Sequence, residues 1–79
     1  MNYLATFFTH SGAIKFKRYL TKNNIENEAL PVPRKLSSNC GIGVKFLYEK
    51  NIEKIYDEDI EKIFKVKEKG YELFKDFDI

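Results

Sequence analysis

The chain opens on a dense apolar run, Tyr3-Leu4-Ala5-Thr6-Phe7-Phe8. It is short and rich in aromatics, which predicts a buried strand. Thr9-His10-Ser11-Gly12 interrupts it with capping residues. Ala13, Phe16 and Leu20 then recur at helical spacing with Tyr19 beside them, predicting a helix over residues 11–23 capped by Thr9 or Ser11. Asn23-Asn24 supplies its stop, because Asn accepts the left-handed conformation. Residues 26–32 read as a second strand, with terminal or edge character because of Pro31. Residues 33–40 form a loop, and residues 42–48 alternate well enough for a third strand. Residues 51–56 fit neither period. Asp57-Glu58-Asp59 then precedes Ile60, Ile63, Phe64 and Val66, which predicts a second helix with its anions at the favourable end and Gly70 as its stop. Residues 71–79 close the pattern as a fourth strand.

This order, β-α-β-β-α-β, predicts an α+β domain of the ferredoxin-like kind: a four-stranded antiparallel sheet with both helices on one face. Seventy-nine residues make one domain, 1–79. A domain this small buries only about 60–65% of its unfolded surface. Seven Phe and five Tyr supply the large buried area it needs.

The charge is uneven. Residues 1–45 carry seven cations against two anions, and residues 46–79 carry seven against ten, so +5 faces −3 within a net +2. One side could attract an anionic partner; an ordinary solvated surface is the plainer reading. A single cysteine and the absence of a signal-like leader predict a reducing cytoplasm. No segment reaches transmembrane length, so no membrane association is expected. One cysteine and one histidine give no metal-ligand spacing, and no metal or cofactor is expected.

The candidate chemistry is concentrated around Cys40, in Pro31-Val32-Pro33-Arg34-Lys35-Leu36-Ser37-Ser38-Asn39-Cys40-Gly41-Ile42-Gly43. Ser37 and Ser38 can turn their hydroxyls onto backbone N–H groups. Gly41 and Gly43 allow close approach of a ligand to the backbone. Successive N–H groups, Asn39 among them, form an anion-binding nest, and Arg34 and Lys35 add positive charge. These conditions favour a thiolate. With no Cys-x-x-Cys, a two-cysteine redox cycle within the chain is excluded. His10 is a candidate auxiliary residue, because the end of the first strand should lie near the start of the third. The plainer reading of Cys40 is a small hydrophobe plugging a strand start; of His10, a helix-start residue; of Asp57 and Asp59, helix-start charges.

Pro31-Val32-Pro33-Arg34 followed by Ser37-Ser38-Asn39-Cys40-Gly41 and an apolar strand resembles the Se/S carrier protein-like family, also catalogued as a domain of unknown function. The aromatic strand ending in Thr6-Phe7, Ala13 early in the first helix and Leu20 near its end fit as well, so the resemblance spans essentially the whole chain. It implies a single-cysteine carrier without turnover of its own. Cys40 would bear the sulfur or selenium, with Arg34, Ser37, Ser38 and Gly41 lining it. The implied partners are a donor enzyme of the cysteine desulfurase or selenocysteine lyase type and an acceptor protein. Two positions depart from the family pattern: Gly12 stands where a histidine is common, with His10 nearby, and Lys35 stands where an acidic residue is common.

Two other classes compete. A non-catalytic protein–protein or regulatory module would use the exposed sheet edge and the uneven charge, and a homodimer belongs to this reading. An RNA-recognition-like domain shares the element order, and Gly41-Ile42-Gly43-Val44-Lys45-Phe46 partly mimics its aromatic strand. Ile42 stands where a stacking ring is needed, and Phe46 alone makes no platform, so nucleic acid ranks last among the partners.

Overall fold

The computed structural model describes residues 1–36 and 40–78; Ser37, Ser38 and Asn39, named above as loop residues, lie outside the described residues, as does Ile79. Five strands form one antiparallel sheet: β1 (Asn2–Phe7), β2 (Asn27–Pro31), β3 (Ile42–Leu47), β4 (Ile60–Lys67) and β5 (Gly70–Asp76). Their order across the sheet is β2-β3-β1-β4-β5. One helix, α1 (His10–Lys22), joins β1 to β2, and a 3₁₀ turn (Ile52–Ile55) lies between β3 and β4.

Each end of α1 is closed as its sequence suggests. Thr9, in extended conformation, accepts a hydrogen bond from the Gly12 N–H at 3.0 Å and so satisfies one orphan donor of the first turn. At the other end Asn24 adopts φ 59°, the Asn24 N–H donates to Thr21 O at 3.1 Å, and the Ile25 N–H donates to Leu20 O at 2.9 Å. That pair of bonds is a Schellman closure, and Ile25 packs on the core beside it. β1 enters and β2 leaves with β3 inserted between them, antiparallel to both; Thr6 stands opposite Gly43, and Pro31 opposite Ile42.

α1 covers one face of the sheet through Ala13, Phe16 and Leu20, packed on Ala5, Phe7, Val44 and Phe46. Aromatic rings fill this layer: Phe7 and Phe16 lie 5.4 Å apart between centroids, and Phe16 and Phe46 meet edge-on at 5.6 Å. Each such buried ring contributes roughly 2–3 kcal/mol of transfer free energy. Ile52 and Ile55 of the 3₁₀ turn bury into the same cluster. One turn therefore occupies the place expected of a second helix.

The expected four strands and two helices are corrected, among the described residues, to five strands and one α-helix, because residues 60–76 are a hairpin. In β4, Thr6 pairs with Lys62 but Phe7 pairs with Ile60, leaving Glu61 as the extra residue of a bulge. The bulge resets the two-residue alternation, so Ile60 and Ile63, three apart, both reach the core. Three-residue spacing is what a helix would show. Glu68 and Lys69 form the turn, and Gly70 carries φ 132°. It serves the hairpin, as left-handed glycines do after short turns, and stops no helix. Among the described residues no helix is long and apolar enough to cross a membrane.

Candidate functional site

The cysteine loop is the connection between β2 and β3. Its mouth is tied by the Val32 N–H, which donates to Gly41 O at 2.9 Å, one step beyond the Pro31–Ile42 pair. Proline at position 31 costs the ladder a donor only at the strand's end, and Val32 resumes the bonding. The Leu36 N–H donates to Pro33 O at 2.9 Å, a turn that puts Arg34 and Lys35 at an exposed tip. Neither cation makes an ion pair among the described residues, so both charges face solvent unneutralised.

The far side of the sheet from α1 explains how the loop sits. Leu4 and Thr6 point away from the helix and are nonetheless fully buried. Gly43, opposite Thr6, lacks a side chain, and a Cβ there would meet Val32 Cγ2 at 2.5 Å, Ala5 O at 3.0 Å and Leu4 Cδ1 at 3.1 Å. Val32 therefore fills the space over Gly43 and against Leu4. It wedges the first limb of the loop onto the second face of the sheet. Cys40, on the returning limb, is 7% exposed. Gly41, next to it, is exposed, and nothing lies within 4 Å of where its Cβ would be. The approach to the residue after the thiol is open while the thiol's own residue is covered.

A buried carboxylate shares this face. Glu61 is 0% exposed. It accepts a hydrogen bond from Thr6 Oγ1 at 3.3 Å and an ion pair from Lys62 Nζ at 3.3 Å. Thr6 stands between Gly43 and Lys62 in the sheet, so the carboxylate lies one strand from the segment that carries Cys40. Sequence reading passed over Val32, Thr6 and Glu61. A lone anion between Ile60 and Ile63 was the available signal, because it breaks alternation as a bulge does.

His10 is the first residue of α1 and is exposed. β1 and β3 are antiparallel neighbours, so His10, after the end of β1, and Cys40, before the start of β3, occupy the same end of the sheet. Asp57 and Asp59 do not begin a helix. They reach across to α1, where Lys15 Nζ lies 3.0 Å from Asp59 and 3.8 Å from Asp57. The hydrogen bond to Asp59, then the charge of Asp57, holds the Lys15 ammonium protonated above its usual range. Gly12 permits this approach, since a Cβ there would come within 2.7 Å of Asp59 Cβ. No cluster of three metal-ligating side chains occurs among the described residues.

The family model described as Putative Se/S carrier protein-like matches residues 2–72. The chain belongs to this family. The match runs from β1 into β5 and includes the whole cysteine loop. No curated protein and no solved structure matches the chain.

Proposed function

We propose that the chain carries one sulfur or selenium atom on Cys40, between a donor enzyme of the cysteine desulfurase or selenocysteine lyase class and an acceptor protein. Membership of the Se/S carrier family is the observation that carries this reading, together with Cys40 being the chain's one cysteine. In loading, the Cys40 thiolate attacks the terminal sulfur of the donor's cysteine persulfide. A new S–S bond forms on Cys40, the donor's S–S bond breaks, and the donor cysteine leaves as a thiolate. The oxidation level moves with the sulfane sulfur, so no external oxidant or reductant enters. Discharge repeats the step toward the acceptor thiolate. Selenium transfers in the same way from a donor S–Se⁻ group: its terminal selenium bonds to Cys40 Sγ, the donor S–Se bond breaks, and the donor cysteine leaves as a thiolate.

Arg34 and Lys35 at the exposed tip would offer positive charge to the anionic persulfide, and the backbone at Gly41 would allow close approach of the donor. The thiol's burial requires the loop to lift before transfer, and local opening of the short connection between β2 and β3 is far less costly than global unfolding. Between transfers the same burial would shield the persulfide from water and stray thiols. The reading places the protein in a reducing compartment such as the cytoplasm, where an unloaded thiol persists.

The burial of Cys40 favours one competing reading, in which the thiol is a packing residue and the chain an interaction module. A single experiment separates them. The protein and Cys40→Ser are each incubated with a cysteine desulfurase and cysteine, and intact masses are read before and after a reductant. The carrier gains one sulfur atom, loses it on reduction, and does so only with Cys40 present. No gain by the wild-type protein, with the desulfurase demonstrably active, leaves the interaction module standing.

A further inference from the structure

The outward face of α1 carries a surface that the cysteine loop does not use. Ile14, Arg18 and Lys22 form one ridge at four-residue spacing, and Lys17 and Thr21 form the next. Between the ridges runs a shallow groove of about 430 Å³ lined by these five residues. Grooves between such ridges are where a second helix packs. Ile14 is 42% exposed at its N-terminal end, an apolar anchor point with no cover.

The charge of this surface is one-sided. Residues 10–22 contain no Asp or Glu. Lys15, on the flank, is already engaged by Asp57 and Asp59. Lys17 donates to the neutral Asn27 Oδ1 at 3.1 Å. Arg18 and Lys22 make no ion pair among the described residues. Three cations therefore surround an exposed isoleucine with no acid on the helix to balance them. We propose that this groove docks an acidic amphipathic helix of a different protein, one that sets carboxylates at four-residue spacing beside an apolar side chain.

A second copy of this chain offers no acidic helix among its described residues: its α1 carries the same positive face, and like charges brought together oppose association. Nucleic acid is a poorer one. The groove offers three cations and an aliphatic centre, and none of its lining residues is an aromatic ring on which bases could stack. The surface stands whether or not Cys40 carries a chalcogen.

The test uses the isotope-labelled full chain. It is titrated with a helical peptide carrying Glu at four-residue spacing around a Leu, with its Gln-for-Glu twin, and with a single-stranded RNA oligomer. The amide resonances of α1 report the site. The acidic peptide should shift Ile14, Arg18 and Lys22, and its affinity should fall as salt is raised. Arg18→Glu and Lys22→Glu should each weaken it about tenfold, while Lys69→Glu, an equal charge change in the β4–β5 turn, should not. Ile14→Ser should weaken both peptides. Circular dichroism and melting confirm that each variant is folded, and these exposed positions leave the core intact. Equal binding of the Gln twin, absence of binding by the acidic peptide, shifts confined to other elements, or tighter binding of the RNA at α1 would each overturn the proposal.

Discussion

Replacing Gly43 by alanine tests how the cysteine loop is held. The added methyl would meet Val32 Cγ2 at 2.5 Å, Leu4 Cδ1 at 3.1 Å and Ala5 O at 3.0 Å. The carbonyl belongs to β1, the central strand, and cannot yield. Val32 is the atom group free to move, because it stands on the loop side of the contact. Overpacking of this kind costs about 1–3 kcal/mol. The stiffer unfolded chain of an alanine returns about 0.4–1 kcal/mol. A net loss of about 1–2 kcal/mol should lower Tm by about 4–8 °C per kcal/mol in a domain of this size. Because the strain falls on Val32, the loop should open more readily: a shift of 1–2 kcal/mol raises the open population about 5–30-fold. Alkylation of Cys40 under native conditions, followed by intact mass, should accelerate by that factor. Ile52→Val, a core trimming under the opposite face, should cost about 0.5–1.5 kcal/mol and leave the alkylation rate alone. A Gly43→Ala protein as stable as the wild type, with Cys40 reacting at an unchanged rate, would refute the wedge.

Glu61→Ala removes the acceptor of the buried Thr6 hydroxyl and the partner of Lys62. It should cost about 1–3 kcal/mol in urea denaturation, with Glu61→Gln closer to wild type because the amide still accepts from Thr6. Gly70→Ala forces a Cβ onto φ 132° and should cost about 1–2 kcal/mol, read as accelerated amide exchange in β4 and β5. Burial, then the charge of Glu53, pushes the Tyr56 phenol above its usual range. Its neutral form is therefore favoured in the folded state, so its contribution is intact below pH 10.0 and is lost as pH rises above it. Lys15, also raised, acts with the same sign from 10.5 upward. Melting across alkaline pH should show a decline that is smaller in Tyr56→Phe.

The first half of the fold was legible because each local signal agreed with its neighbours. Thr9 was one of two named caps and took the role; Asn24 took the left-handed position; Ala13, Phe16 and Leu20 form the buried stripe. The second half misled for one reason. The bulge at Glu61 gives Ile60 and Ile63 helical spacing within a strand, and the three acids before them imitate a helix start. Those acids do complement a helix, but it is α1, reached in space through Lys15. Within Phe64-Lys65-Val66-Lys67 the alternation of a strand was visible. The cysteine loop was readable as a loop. Its seating was not, since a glycine's neighbour across a sheet and a valine between two prolines acquire meaning only once register brings them together.

A carrier requires that Cys40 can be reached from the folded protein. Alkylation of the native chain, timed by intact mass against the independently measured rate of global unfolding, addresses it directly. The reaction should be slower than in the denatured chain yet much faster than unfolding, as local opening of the β2–β3 connection requires. A rate no faster than global unfolding would contradict it and make Cys40 a packing residue of the second face.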